Sequence, residues 1–186
     1  MIVIGIAGKA RSGKDTAADI MLHKLAVNWN VYKISLSESL KIQAMAIGFT
    51  KEQLTDQRLK VLPDERFNCT PREYLQKLGD LNRKLLGESV LCKSLESKYI
   101  NNYPDVNLIF IVSDIRTELE ANWIKSFNNG YVLKLIRSNQ DDEFSTHITE
   151  LGIPDNLVDL CIVNNSTIDD LDDELTKFIK YGIGIV

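Results

Sequence analysis

The segment MIVIGIAGKARSGKDT restricts what this chain can fold into more than any other. Ile2 to Ile6 is a short, β-branched apolar run that reads as a strand buried on both faces, and from Asp15 to Asn28 apolar residues recur at helical spacing. Between them, Gly8-Lys9-Ala10-Arg11-Ser12-Gly13-Lys14 matches GxxxxGK. In a strand, loop and helix setting this spacing lets backbone N–H groups wrap around phosphate oxygens at a helix N-terminus, whose dipole favours negative charge. Gly8 and Gly13 permit the close approach, and Lys14 reaches for the β- and γ-phosphates of a nucleotide.

The residue after the lysine departs from the usual serine or threonine: Asp15 stands there, followed by Thr16. Asp15 reads either as a ligand of Mg²⁺, directly or through water, or as a first-turn acid favoured by the helix dipole. The expected ATP-binding set is Gly8, Lys9, Ala10, Arg11, Ser12, Gly13, Lys14, Asp15 and Thr16. Asn164, after the last core strand, is a further candidate for this set, although an Asn-Asn turn would look the same.

Further strands are expected at Val31–Leu36, Val106–Val112, Tyr131–Ile136 and Leu160–Val163. Helices are expected at Glu38–Ile47, Lys51–Val61, Thr70–Leu86, Thr117–Phe127 and Ile168–Tyr181. The fourth of these six helices, counting the one after the loop, opens with Thr-Pro-Arg-Glu, a capping threonine with proline in the first turn. This alternation places the chain in the α/β class, with a mainly parallel five-stranded sheet and helices on both faces. Ligands of such sheets bind at the carboxyl ends of the strands, where Gly8, Asp114, Arg137 and Asn164 all fall.

At 186 residues the chain holds one good core, and one compact domain is expected. A net charge of −4, with basic residues scattered among acids, argues against polymeric nucleic acid as a ligand. No stretch approaches the ~20 apolar residues of a membrane span, and the amino-terminal apolar run lacks the h-region of a signal peptide. Cys69, Cys92 and Cys161 are odd in number and far apart, as reduced cytosolic thiols are.

Five blocks taken in order, GKARSGKDTAAD, TPREYLQKLGDLNRKLLGE, IVSDIRTELEANWIK, LKLIR and THITELGIPDNLVDLCIVNNSTIDDL, resemble the deoxynucleoside monophosphate kinase family known from bacteriophages. The likeness runs from residue 1 to about 175, and the GKDT form of the loop is typical of that family. It implies a three-layer P-loop kinase fold spanning 1–186, with a helical acceptor-binding insertion over 38–101 and a short lid-like segment over 137–150. It also implies a cytoplasmic enzyme, in the host cytoplasm if phage-encoded. That enzyme would use ATP and Mg²⁺ to phosphorylate a deoxynucleoside monophosphate, with a homodimer standing beside the monomer as an expected state.

On this resemblance Arg72 and Gln76, four residues apart on one helix, belong to the acceptor region, Arg72 on its phosphate and Gln76 on its base. Arg83, two turns further, lines the same cleft or makes a surface salt bridge. Asp114 and Arg116 form an Asp-x-Arg pair at the acceptor; Asp114 could instead hold Mg²⁺, or cap the next helix, although Thr117 is better placed for that. Arg137 opens the lid, and Arg11 or Arg116 supplies further positive charge around the transferred phosphate. The expected catalytic residues are Lys14, Arg11, Arg137 and Asp114. His147 and Glu150 match a His-x-x-Glu block read as lid positioning. Two rivals remain open: a P-loop kinase for phosphomevalonate or dephospho-coenzyme A, and a switch that binds ATP without transferring its phosphate.

Overall fold

The computed structural model describes residues 1–9, 11–103, 107–137 and 152–185. The chain divides into two compact units, Met1–Ser35 with Asn102–Val186, and Leu36–Asn101.

The first unit is built on a five-stranded sheet: β1 (Ile2–Ala7), β2 (Asn30–Ile34), β3 (Leu108–Ile115), β4 (Gly130–Ile136) and β5 (Leu160–Val163). The order is β2-β3-β1-β4-β5 and every pairing is parallel. β1 is therefore central, and all six of its residues are buried, as its unbroken apolar run requires. Alternate residues serve opposite faces. Ile2, Ile4 and Ile6 pack with Ile109, Ile111, Leu133 and Leu135 beneath two helices. These are α1 (Lys14–Leu25), through Ala17, Ala18 and Met21, and α7 (Ile168–Lys177), through Leu171 and Leu175. The opposite face meets α6 (Glu118–Lys125): a Cβ placed on Gly5 would lie 2.9 Å from side-chain atoms of both Ile115 and Ile124. Each fully buried Ile or Leu contributes about 1.5–3 kcal/mol over its exposed state.

The second unit holds α2 (Glu38–Ala46), α3 (Lys51–Thr55), α4 (Pro71–Leu86) and α5 (Val90–Lys98). Its apolar centre is Ala44, Phe49 and Leu54, with Tyr74 and Leu75 against them. Asp64 ties α3 to the turn before α4. Its buried carboxylate accepts from Arg66 Nε at 2.9 Å, Arg66 Nη2 at 2.7 Å and Gln53 Nε2 at 2.8 Å. Arg66 and Gln53 hold its pKa well below the usual carboxylate range against the opposing effect of burial.

Three expectations change. The helix expected over Lys51–Val61 stops at Thr55, because Asp56 turns extended and its carboxylate accepts from the N–H groups of Arg58 at 2.7 Å and Leu59 at 3.0 Å; a single 3₁₀ turn follows at Leu59–Val61. The third strand runs to Ile115 rather than Val112, because a register shift in β1 between Gly5 and Ala7 carries the pairing on. Asp114 is thus a strand residue. The last helix gives way to a π-helical turn over Phe178–Gly182, which seats Phe178 and Ile179 in the core.

Candidate active site

The phosphate loop lies at the carboxyl end of the central strand. Gly8 (φ 146°), Arg11 (φ 62°) and Gly13 (φ 96°) all have positive φ, and such backbone curls its amides inward. Two of these positions are glycines for steric reasons as well. A Cβ on Gly8 would lie 2.5 Å from the Leu135 carbonyl, and one on Gly13 would land on the side-chain amide of Asn164. Arg11 adopts the left-handed region without glycine's freedom, which costs of order 1 kcal/mol and is typical of binding loops. Its side chain is exposed, as is Lys9; Ala10 lies outside the described residues.

Lys14 folds back into the loop, its ammonium donating to the carbonyls of Gly8 at 2.7 Å and Lys9 at 2.5 Å. The hydroxyl of Ser12 is buried and has no hydrogen-bond partner among the described residues. Gly13, in the left-handed conformation, provides no side-chain cap to α1, whose first bond runs from the Ala17 N–H to the Gly13 carbonyl at 2.9 Å. The N–H groups of Lys14, Asp15 and Thr16 therefore lie ahead of the helical ladder. An anion at this helix end would meet them, an orphaned hydroxyl and an ammonium.

Asp15 and Thr16 are exposed on the first turn. The Asp15 carboxylate lies 3.8 Å from Lys33 Nζ, whose closer partner is Asp19 at 2.7 Å. No group of three or more His, Cys, Asp or Glu side chains forms a metal cage among the described residues. Asn164 follows β5 and reaches across to the loop: its Nδ2 donates to the Ser12 carbonyl at 2.9 Å, and its backbone N–H to the Ile136 carbonyl at 2.7 Å.

Asp114, half-buried near the end of β3, accepts from the hydroxyl of Ser35 at 2.7 Å, just beyond the neighbouring β2. Thr117 caps α6 as expected, in a box with Glu120. The buried Glu120 carboxylate also accepts the Arg116 N–H at 2.8 Å, which fixes the backbone between Asp114 and the helix. Arg137 directly follows β4 and is exposed; residues 138–150, including His147 and Glu150, lie outside the described residues. The fold of the first unit thus gathers the loop, Asp114, Arg116, Arg137 and Asn164 at one end of its parallel sheet.

Arg72, Gln76 and Arg83 lie together on α4 of the second unit. Thr70 and Glu73 close a capping box at its start, and the Thr70 N–H and hydroxyl hold the Glu73 carboxyl below its ordinary pKa. Arg72 and Gln76 are half-buried. Arg83 lies 3.6 Å from Asp80, so the salt bridge expected as its alternative role is present, with the Arg83 side chain 12% and the Asp80 side chain 50% exposed. Tyr74 turns inward onto Phe49, ring centroids 5.2 Å apart, and is a core residue.

Sequence reasoning missed Ser35 and Lys33. A serine directly after Ile34, at the carboxyl end of the second strand, was the available signal for Ser35. The reach of Lys33 to the first turns of α1 depends on how β2 and α1 pack, which no local pattern reveals.

A family model described as deoxynucleotide monophosphate kinase matches residues 64–175, a span that takes in Arg72, Gln76, Arg83, Asp114, Arg116, Arg137 and Asn164. A relative from Acanthamoeba polyphaga mimivirus, named "Putative deoxynucleotide monophosphate kinase", is 32% identical over 187 residues, covering 91% of this chain and 92% of that protein. Among solved structures, shikimate kinase from Aquifex aeolicus is similar with a TM-score of 0.49 and 14% identity, over 97% of this chain and 98% of that one. An APS kinase of Mycobacterium tuberculosis gives a TM-score of 0.45 and 15% identity, over 96% of each chain.

Proposed function

The chain belongs to the deoxynucleotide monophosphate kinase family, and from that premise we propose that it transfers the γ-phosphoryl group of ATP to a deoxynucleoside monophosphate, giving the diphosphate. The observation that carries this reading is the loop between β1 and α1. There a folded-back Lys14 ammonium and a buried Ser12 hydroxyl with no partner among the described residues lie beside amides that the helix does not use.

Lys14 would exchange its two loop carbonyls for the β- and γ-phosphates, neutralising charge as the phosphoryl group moves in line to the acceptor. The acceptor phosphate is already ionised, so no general base is required. Catalysis rests on positioning and on charges set in advance. Arg72 would take the acceptor phosphate bidentately, with Gln76 toward its base and Arg83 on the same helix. Asp114 and Arg116 would face the acceptor from the end of β3. Arg11 and Arg137 would bring positive charge to the transferred group.

Mg²⁺ suits this donor set, because that ion is ordinarily held by one or two carboxylates together with substrate phosphates and water rather than by a protein cage. Asp15 is the residue we assign to it, and when bound the ion would neutralise charge on the β- and γ-oxygens. The substrates are small nucleotides, not polymeric nucleic acid. No helix among the described residues is long and apolar enough to cross a membrane. We place the protein in the cytoplasm and include a homodimer among its states.

The test is ADP release coupled to a spectroscopic readout, with MgATP and each of dAMP, dCMP, dGMP, dTMP and the ribonucleotides, run beside Lys14→Ala. Turnover that depends on a deoxynucleotide and vanishes in the variant supports the reading. ATP binding without turnover on any of them would overturn it.

A further inference from the structure

We infer that Asn164 is a positioning residue for the phosphate loop, acting through the Ser12–Gly13 peptide rather than by touching the nucleotide base. The inference rests on the phosphate-loop reading above and deepens it.

The argument starts from the peptide itself. A trans peptide is planar, so its C=O and N–H point in opposite directions. The Ser12 carbonyl accepts from Asn164 Nδ2 at 2.9 Å, and only the NH₂ end of that amide can face a carbonyl. Holding this carbonyl outward turns the Gly13 N–H to the other side, toward the concave face of the loop. It also diverts the Ser12 carbonyl from α1, whose ladder starts one residue later at Gly13.

Asn164 is itself well anchored. Its backbone N–H donates to the Ile136 carbonyl at 2.7 Å, continuing the pairing of β4 with β5, so the side chain projects from a fixed point of the sheet. Gly13 completes the fit. A Cβ there would land on Asn164 Nδ2, so the missing side chain makes room for the amide, beyond what φ 96° already demands. The sequence separation of 152 between donor and acceptor makes this a clamp that only the finished sheet can form.

A residue that shapes the loop acts on every polyphosphate alike, whereas a residue that touches adenine acts on ATP alone. The experiment is therefore titration calorimetry of the full-length wild type, Asn164→Ala and Asn164→Asp with inorganic tripolyphosphate, with ATP and with a deoxynucleoside monophosphate. We expect Asn164→Ala to weaken tripolyphosphate and ATP in parallel by about five- to tenfold, the effect of one lost hydrogen bond. Asn164→Asp, which sets a carboxylate against the Ser12 carbonyl and beside the phosphates, should weaken both further. Monophosphate affinity should stay within about twofold of wild type, since the change does not touch α4.

Unchanged tripolyphosphate binding in both variants would overturn the inference, and so would a loss for ATP alone, which would make Asn164 a base contact. An equal loss for the monophosphate would overturn it too, by showing general damage. If Asn164→Ala does not fold, the uncharged and similarly sized Asn164→Leu carries the same comparison. Because binding is read rather than turnover, the inference survives a wild type that phosphorylates no deoxynucleotide. A wild type that binds neither tripolyphosphate nor ATP would overturn the phosphate-loop reading and this inference with it.

Discussion

Lys14 donates to two carbonyls of its own loop, so its charge is held at the loop rather than in solvent. Removing it should abolish measurable transfer, a fall in kcat of at least about a hundredfold as for the loss of a charge-stabilising donor, while the melting temperature without ligand moves little. Steady-state kinetics beside a thermal melt check both halves. Arg72 should behave differently, because its proposed partner is the acceptor. Arg72→Ala should raise the acceptor KM by about ten- to a hundredfold, the range for a lost charge-assisted hydrogen bond, and leave the KM for ATP near wild type. An equal rise in both would place Arg72 elsewhere. Asp64 gives the pH dependence. Its folded-state pKa is depressed, so its contribution is present above the unfolded value of about 3.9 and is lost as pH falls below that toward the lower folded value. Asp64→Asn should therefore lower stability at neutral pH and flatten the acid limb of a pH-melt below about pH 4.

At the scale of elements, α3, α4, α6 and α7 each begin with a threonine box, Thr50 with Gln53, Thr70 with Glu73, Thr117 with Glu120 and Thr167 with Asp170. The helix after the phosphate loop has none, nor do α2 and α5. Thr117→Ala should cost about 1 kcal/mol in urea denaturation, and more if the buried Glu120 carboxylate loses its geometry. Such local devices are why α4 and α6 could be read from sequence to within a residue or two; β5, in which only Ile162 is buried, was found at Leu160–Val163 from its short apolar run. The failures were of another kind. Apolar spacing through Leu54, Leu59 and Val61 continues past Asp56, yet the backbone bonds to that carboxylate break the helix. The extension of β3 depends on a register shift in its neighbour, and the partner of Asn164 lies in a distant part of the chain. The GxxxxGK loop announces its glycines and lysine; which hydroxyl is left buried and which carbonyl is clamped emerge only from packing.

The molecule as a whole should report nucleotide as added stability. At a hundred times its dissociation constant ATP contributes about 2.7 kcal/mol, which for a chain of this size raises the melting temperature by about 5–10 °C. Lys14→Ala should show a much smaller rise, and differential scanning calorimetry would resolve whether the two compact units melt together or in sequence. The strand order has one more effect, on biosynthesis. β1 and the phosphate loop end at Lys14, but the flanking strands β3 and β4 begin at Leu108 and Gly130, and the clamp on the loop waits for Asn164. At ribosomal speeds that interval is roughly ten to thirty seconds. Through it, a wholly apolar strand has no sheet to join, and nucleotide has no finished cradle with which to help the nascent chain fold. Placing a strand in the middle of the sheet ahead of both its neighbours in sequence leaves Ile2–Ala7 apolar and unpaired until β3 and β4 have emerged.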